Sequence, residues 1–222
     1  MKMKTIGEEG QEKEGLVKEI LNKGDLTAEE LKEELRKKDV SFVKSYDRLF
    51  TRLFIVLAIL WLLPAVARYS GWQFLSFFAQ LPRVEFPIVV IVVGVVFFIA
   101  AIALEAKVVS MRQRRGGCQD THESVVIVRE GPYKIVMHPG YLAEIVYFSL
   151  LPVILSKWLP FTILAVVYIV GWIGMLAYLI RVEDNFNIRK WGDEYRQFMR
   201  DVPMINFVKG LWNNLGKRRA GN

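Results

Sequence analysis

Three long stretches of the chain are apolar at nearly every position, instead of at helical or strand spacing. Residues 53–67, 86–104 and 158–180 contain no aspartate, glutamate, lysine or arginine. The second stretch would measure about 28 Å as an α-helix, close to the ~30 Å hydrocarbon core of a bilayer. Because lipid offers the backbone no hydrogen-bond partner, such runs favour membrane-spanning helices. The alternative is a buried helix in a soluble core, and three such runs in 222 residues argue against it.

The apolar pattern predicts about four membrane helices, at 50–67, 86–104, 141–156 and 160–180. The third carries Glu144 and Pro152, and a short turn joins it to the fourth, so the two form an antiparallel hairpin. The aromatic-rich residues 72–81 favour an interfacial segment over a further crossing. The predicted fold class is therefore all-α, with residues 49–222 forming an integral membrane helical bundle.

Residues 1–48 are predicted to form a separate, cytosolic helical hairpin. The first short helix has one apolar face, made by Leu16, Val17, Ile20 and Leu21. Gly24 interrupts it, and Thr27 with Glu30 forms a capping box that opens the second helix. Acidic and basic residues nearly cancel here, so the region lacks the basic face that phosphate binding needs. Nucleic acid is therefore not an expected partner.

The distribution of lysine and arginine predicts the orientation in the membrane. The chain carries a net charge of +7, and its lysine and arginine residues are abundant in the N-terminal arm, the loop after the second membrane helix and the tail from Arg181. Only Arg68 and Arg83 lie between the first two helices, and only Lys157 lies between the last two. Because cytosolic segments are enriched in these residues, both termini and that loop are expected on the cytosolic side.

The first group of polar residues that needs an explanation leads into the third membrane helix. The segment 131–141 reads GPYKIVMHPGY and contains Tyr133, His138 and Tyr141. Pro139 suits the first turn of a helix, where free N–H groups and a partial positive charge are presented. His138 and Tyr141 could hold a small polar ligand there. On spacing alone an ordinary loop–helix junction, with His138 as a cap and Tyr141 as an interfacial anchor, is the favoured explanation.

The second polar group follows the fourth membrane helix and contains Arg181, Glu183 and Asp184, followed by WGDEY ending at Tyr195. Two acids at a helix C-terminus oppose the macrodipole, which invites a cationic partner, either Arg181 or a ligand ammonium. A solvated helix end with a local ion pair is the alternative. Glu144 is an intramembrane carboxylate and so a functional candidate, unless it simply reaches water one turn away.

Several other chemistries lack support in the sequence. It contains no glycine-rich phosphate loop, no GxSxG and no HExxH. Cys118 and His122 could supply two metal ligands, but two more would be needed, and no metal is assigned. With Cys118 as the single cysteine, no intrachain disulfide can form.

Taken in order, the motifs resemble one membrane enzyme family. GPY at 131–133, HPxY at 138–141, an apolar helical hairpin, the acids Glu183 and Asp184, and WGDEY at 191–195 are similar to the isoprenylcysteine carboxyl methyltransferase family, whose wider group includes phospholipid N-methyltransferases. The similarity covers about residues 126–212. Each motif is weak alone, whereas five in order at these separations are fairly specific.

The resemblance implies a multi-helix membrane fold that binds S-adenosylmethionine without a Rossmann domain. Carried over, His138 and Tyr141 would line the cofactor pocket, and Glu183 and Asp184 would meet the cofactor's cationic methionine end. Tyr195 would belong to the C-terminal segment over the pocket, and Tyr133 is included among the cofactor-binding candidates.

The chain departs from the family pattern at several positions. Met137 stands where an arginine usually precedes HP, Asp184 replaces a glutamate, and Trp191 replaces a phenylalanine. The loop after the second helix is short, and there are fewer helices than in eukaryotic members. Met137 bears most on the substrate, because a guanidinium is a carboxylate anchor that is lost here.

The leading hypothesis is methyl transfer to the carboxylate of a prenylcysteine-like or other lipid-associated acceptor that enters from the bilayer. A carboxylate needs no general base, so Arg181 would orient it, and Glu144 is the second catalytic candidate. N-methylation of a phospholipid headgroup is the first alternative and would need a base such as His138 or Glu144. Thiol methylation of a small molecule and a non-enzymatic membrane scaffold remain open. Membrane lipids are partners in every case.

Overall fold

The computed structural model describes residues 48–114 and 127–220, and the regular elements in these ranges are helical. The α-helices there are α1 (Arg48–Ser70), α2 (Ser76–Ala79), α3 (Ile88–Arg114), α4 (Pro139–Ile154), α5 (Ile163–Trp191), α6 (Asp193–Asp201) and α7 (Phe207–Ala220). Short 3₁₀ turns occupy Gln73–Leu75, Gly131–Lys134 and Leu155–Lys157. The predicted all-α fold class is confirmed. The predicted hairpin over residues 1–47, together with Cys118 and His122, lies outside the described residues.

Four segments are long and apolar enough to cross a bilayer: Phe50–Ser70, Ile88–Arg112, Pro139–Lys157 and Ile163–Ile188. Their outward side chains are apolar as well; on α3, Val89 is 67% exposed and Ile99 is 61% exposed. An apolar surface of this extent is unusual in a soluble monomer and is ordinary for a helix in contact with lipid. The helices therefore agree with the predicted multi-pass membrane bundle.

Two of these helices extend well beyond the apolar runs that predicted them. α3 was expected to end at residue 104 and continues to Arg114, and α5 was expected to end at residue 180 and continues to Trp191. Seven of the ten added residues of α3 are strong helix formers, namely glutamate, alanine, lysine, methionine, glutamine and two arginines. The first charged residue after an apolar run shows where the helix can leave the hydrocarbon core. The helix itself continues beyond that point as long as the following residues favour helical backbone.

The aromatic segment after α1 contains only short helical pieces. Gly71 turns the chain with a φ of 69°, and the 3₁₀ turn and the four-residue α2 follow. Phe74 and Phe77 are 76% and 68% exposed. A piece this short cannot cross a bilayer, and exposed aromatic rings suit the headgroup region.

The chain divides into two compact units. The described part of the first, called here the membrane unit, comprises residues 48–105 and 141–178. The described part of the second, called here the polar unit, comprises residues 106–114, 127–140 and 179–220. The predicted domain at 49–222 therefore contains most of one unit and part of the other.

Aromatic side chains hold the membrane unit together. Trp61 on α1 stacks on Tyr168 of α5, with ring centroids 5.1 Å apart. Phe54, Phe148 and Trp172 form a second group with centroid separations of 4.4–5.6 Å. Such edge-to-face pairs add about 0.5–1.5 kcal/mol each beyond the area that they bury. The two groups therefore join α1, α4 and α5.

In the polar unit, the chain after α6 lies against the loop that precedes α4. The Met137 N–H donates to the Pro203 carbonyl at 3.0 Å, and the His138 N–H donates to the Met204 carbonyl at 3.1 Å. Gly210 on α7 lies so close to the Ile135 carbonyl oxygen that a Cβ atom would overlap it. These contacts hold the backbone that carries His138.

Candidate functional site

His138 lies at the point where the loop after residue 130 becomes α4. The 3₁₀ turn Gly131–Lys134 begins with Gly131 at a φ of 56°, and Pro139 then opens the helix. Residues 136–139 are all buried. The His138 N–H donates to the Met204 carbonyl, so the His138 backbone is held independently of its side-chain contacts.

The His138 side chain meets an acid from α5. Its Nε2 lies 2.9 Å from Oδ1 of Asp184, and the two side chains are only 5% and 6% exposed. An ionised carboxylate accepts hydrogen bonds only, so this contact places a proton on Nε2. The two polar groups predicted from separate motifs therefore come together, 46 residues apart in the chain.

Tyr195 completes the arrangement from α6. Its hydroxyl donates to the same Oδ1 of Asp184 at 2.6 Å, a length typical of a charge-assisted hydrogen bond. The Asn187 side-chain amide donates to the Tyr195 hydroxyl at 3.4 Å. Burial raises the pKa of the Tyr195 phenol far above its ordinary value, and the negative charge of Asp184 raises it further. We call these three residues the His138–Asp184–Tyr195 cluster.

Glu183 precedes Asp184 but does not share its contacts. The Glu183 Oε2 atom is buried and has no hydrogen-bond partner in the described part of the chain. Its charge also raises the pKa of Tyr195, so it lies within electrostatic range of the cluster. An unpaired buried carboxylate oxygen is costly, and a cationic ligand group would relieve that cost.

The remaining predicted residues do not join the cluster in the same way. Arg181 is exposed on α5. Tyr133 lines a different cleft of about 210 Å³ in the polar unit, together with Arg129, Lys134 and residues of α6 and α7. Tyr141 and Glu144 are buried on α4 and belong to the membrane unit, where the Trp172 indole donates to the Glu144 carbonyl at 3.4 Å.

Two residues that support the site were not predicted from the sequence. Arg129 bonds the backbone and side chain of Glu194 at 3.1 and 3.4 Å, and its guanidinium lies over the Phe198 ring. Asn187 was also missed, although it follows Asp184 by one helical turn and so had to share its face. No sequence signal distinguished Arg129 from the other basic residues nearby.

Comparison with known proteins does not narrow the assignment: no family model, curated protein or solved structure matched the chain. The described residues contain no group of three or more histidine, cysteine, aspartate or glutamate side chains able to hold a metal ion.

Proposed function

We propose that this chain is an integral membrane S-adenosylmethionine-dependent methyltransferase that methylates the carboxylate of a prenylcysteine-like or other lipid-associated acceptor. The observation that carries the proposal is the His138–Asp184–Tyr195 cluster. Each member comes from a different motif of the family-like series, and the His138 and Tyr195 side chains both lie within 2.9 Å of Oδ1 of Asp184. Unrelated loop junctions and helix ends have no reason to converge on one buried carboxylate oxygen.

The residues around the cluster fit the cofactor's charge. The Glu183 Oε2 atom is buried and lacks a hydrogen-bond partner within the described ranges, as expected for a carboxylate that binds a cationic ligand group. Glu183 would hold the ammonium of the methionine moiety, with Asp184, His138 and Tyr195 as the other proposed cofactor-binding residues of the polar unit. Tyr133, which lines a separate cleft, and Tyr141, which belongs to the membrane unit, are proposed only because the resemblance implies them. Bound S-adenosylmethionine would supply an electrophilic methyl group on a sulfonium sulfur.

The chain's own residues then act by positioning rather than by proton transfer. An acceptor carboxylate is already a nucleophile, so alignment and exclusion of water suffice. Asp184 holds His138 and Tyr195 in one arrangement and thereby links the loop before α4 to α6. Arg181 is exposed on α5, which suits a residue that orients the acceptor carboxylate. Glu144 is the second catalytic candidate.

One observation favours a second candidate function, N-methylation of a phospholipid headgroup. A histidine paired with a buried carboxylate is a common arrangement for a general base, and His138 is paired with Asp184 in this way. An amine acceptor must lose a proton before it can be methylated, so it would use that base. A carboxylate acceptor would not.

We also propose that both termini and the cluster face the cytosol. Four crossings return the chain to its starting side, and the segments before the first and after the fourth crossing carry most of the lysine and arginine. S-adenosylmethionine is made in the cytosol, so a pocket on that side would have direct access to it.

The test of the function is a labelled-methyl assay on membranes that contain the protein. A prenylcysteine analogue and phosphatidylethanolamine are offered side by side with S-adenosylmethionine labelled in the methyl group. We expect label in the prenylcysteine analogue that mild alkali releases as volatile methanol. Alkali-stable label in phosphatidylethanolamine would assign the second function instead, and a protein that binds no S-adenosylmethionine in calorimetry would be assigned as a non-enzymatic scaffold.

Cofactor binding can be tested separately by calorimetry on Glu183→Ala. Removal of the unpaired carboxylate should abolish S-adenosylmethionine binding. The matched control is Asp193→Ala, because Asp193 is also acidic but its side chain is 94% exposed. Unchanged affinity in Glu183→Ala would mean that the ammonium site lies elsewhere.

A further inference from the structure

A second site, unrelated to the methyl-transfer proposal, lies in the membrane unit. It is a cleft of about 150 Å³ where α1 ends and α3 begins, beside the turn that joins α4 to α5. These positions are the C-terminal ends of the first and third apolar spans and the N-terminal ends of the second and fourth. Successive spans cross in opposite directions, so these four ends lie at one membrane–water boundary. His138 precedes the other end of α4.

The charge of this cleft is unbalanced. Arg68, Arg83 and Lys157 line it, and Glu85 is the one acidic residue among its lining residues. Arg83 contacts Glu85 at 3.1 Å, whereas Arg68 and Lys157 make no ion pair with any described residue. Cations gathered around one cleft repel each other, and a bound anion removes that repulsion. The charge therefore favours an anionic ligand.

A polar atom in the cleft wall points to the same ligand class. The Ser156 side chain lines the cleft, and its Oγ atom is buried without a hydrogen-bond partner in the described ranges. A hydroxyl can donate to a phosphate oxygen. Three cations and one free hydroxyl around a small cleft match the charge and the several acceptor oxygens of a phosphate group.

The walls of the cleft are held in place by the fold. The Val84 N–H donates to the Phe161 carbonyl at 2.8 Å, and the Tyr69 hydroxyl donates to the Trp158 carbonyl at 3.0 Å. These bonds join the segment before α3 and the end of α1 to the turn between α4 and α5. A site whose walls are fixed before binding loses less entropy when its ligand binds.

The rim identifies where the phosphate comes from. Tyr69 and Trp158 are 71% and 64% exposed at the cleft, and such aromatic side chains are typical of the headgroup layer. We propose that this cleft binds the phosphate group of an anionic phospholipid headgroup, with the acyl chains along the exposed apolar helices. Arginine and lysine residues that merely extend towards water would not need to converge on one cleft.

The test is binding of phosphatidylglycerol to the full chain in detergent micelles, measured by native mass spectrometry. We compare the wild type, Arg68→Gln/Arg83→Gln/Lys157→Gln, and a control with the same charge loss, Arg114→Gln/Arg200→Gln/Lys209→Gln. The control residues are exposed and lie outside the cleft. We expect the cleft variant to bind the lipid at least about tenfold more weakly than the control variant. Equal weakening in both variants would overturn the proposal.

A single variant that is expected to strengthen lipid binding distinguishes loss of the site from misfolding. Glu85→Gln removes the acidic residue of the cleft and should tighten phosphatidylglycerol binding, which a damaged fold would not do. Weaker or unchanged binding in Glu85→Gln would also overturn the proposal.

Two further probes identify the ligand source. Phosphatidylcholine should bind more weakly than phosphatidylglycerol, because its headgroup carries no net negative charge. Inorganic phosphate that displaces the lipid at similar concentration would support an anion site but assign it to a soluble phosphate ester. Neither probe involves S-adenosylmethionine, so the result does not depend on the methyl-transfer proposal.

Discussion

Asp184 is the residue on which the most contacts of the candidate site converge. One oxygen of its carboxylate accepts hydrogen bonds from both the His138 ring and the Tyr195 hydroxyl, and its side chain is almost fully buried. A buried carboxylate without donors would be expensive. The two donors therefore make this position tolerable, and each of them in turn depends on Asp184.

We expect Asp184→Ala to destabilise the protein by about 2–6 kcal/mol, because it leaves two buried donors, the His138 ring and the Tyr195 hydroxyl, without their acceptor at about 1–3 kcal/mol each. Asp184→Asn keeps the shape and should cost about 1–3 kcal/mol. Unfolding by a denaturing detergent, followed by circular dichroism, measures both. Asp193→Ala is the matched control and should change stability by less than about 0.5 kcal/mol. Similar losses for Asp184→Ala and Asp193→Ala would contradict the inferred role of the cluster.

Tyr195 predicts a specific dependence of stability on pH. Its pKa is raised in the folded protein, chiefly by burial, so the folded state keeps the phenolic proton while the unfolded state releases it above pH ~10. The stabilisation from Tyr195 is thus complete below pH ~10 and falls by about 1.4 kcal/mol per pH unit above it. Tyr195→Phe should cost about 1–2 kcal/mol at pH 8, and that deficit should shrink as the pH rises beyond 10.

The measurement is the difference in unfolding free energy between the wild type and Tyr195→Phe, taken from pH 8 to pH 11 in steps. Tyr178→Phe serves as the control for loss of a phenol, because Tyr178 is 63% exposed. A deficit for Tyr195→Phe that stays constant across this range would show that the phenol is not shielded as the structure indicates.

Helix α7 and the segment before it contact the loop that carries His138, although no sequence motif predicts this. Its Gly210 lies against the Ile135 carbonyl, and the segment before it binds the backbone of Met137 and His138. The opposite side of α7 is apolar and exposed, with Val208 and Trp212 at 77% and 80%. The helix therefore uses a small, polar face to contact the loop that carries His138.

Two glycines on α7 provide a matched pair of variants. Gly210→Ala places a Cβ atom on the Ile135 carbonyl, so we expect a loss of about 1–3 kcal/mol and earlier proteolysis of the C-terminal segment. Gly216→Ala meets no atom within 4 Å and should be neutral or stabilising by up to about 1 kcal/mol. Limited proteolysis with mass spectrometry distinguishes the two. Equal behaviour would mean that α7 does not dock through Gly210.

The bounds of the helices show what local patterns can and cannot predict. The four spans were predictable because hydropathy sums over about 20 neighbouring residues and needs no knowledge of packing. Hydropathy does not predict the continuation of α3 to Arg114 and of α5 to Trp191, because polar residues end an apolar run without ending the helix. Most of the added residues of α3 are good helix formers, whereas the added residues of α5 include Asp184, Asn185 and Asn187, which are not.

At the scale of the whole molecule, the orientation in the membrane is a testable consequence of the charge distribution. Cys118 is the single cysteine and lies in sequence between the second and third spans, on the side proposed to be cytosolic. A membrane-impermeant maleimide should therefore label it in inside-out vesicles and not in intact cells.

The control for this labelling moves the thiol to the other side. Cys118→Ser/Ser70→Cys places the only cysteine at the exposed end of the first span, and it should be labelled in intact cells. The reverse pattern for the two proteins would invert the proposed topology and place the loop before α4 outside the cytosol.

Hydropathy and residue type along the chain are enough to predict an all-α membrane protein, four spans and the short segments in which polar residues collect. These are local properties, set by the free energy of placing each side chain in lipid or in water. The order of five short motifs also suggested a methyltransferase, and that suggestion remains a proposal.

Which of the two adjacent acids forms a hydrogen bond with His138 is seen only in the tertiary structure. Glu183 and Asp184 are neighbours in the chain, but a helix turns about 100° per residue, so their side chains point in different directions. Asp184 faces His138 and Tyr195, whereas the Glu183 Oε2 atom is left without a partner among the described residues. The rotation of α5 about its axis is set by packing along its whole length, which no short motif contains.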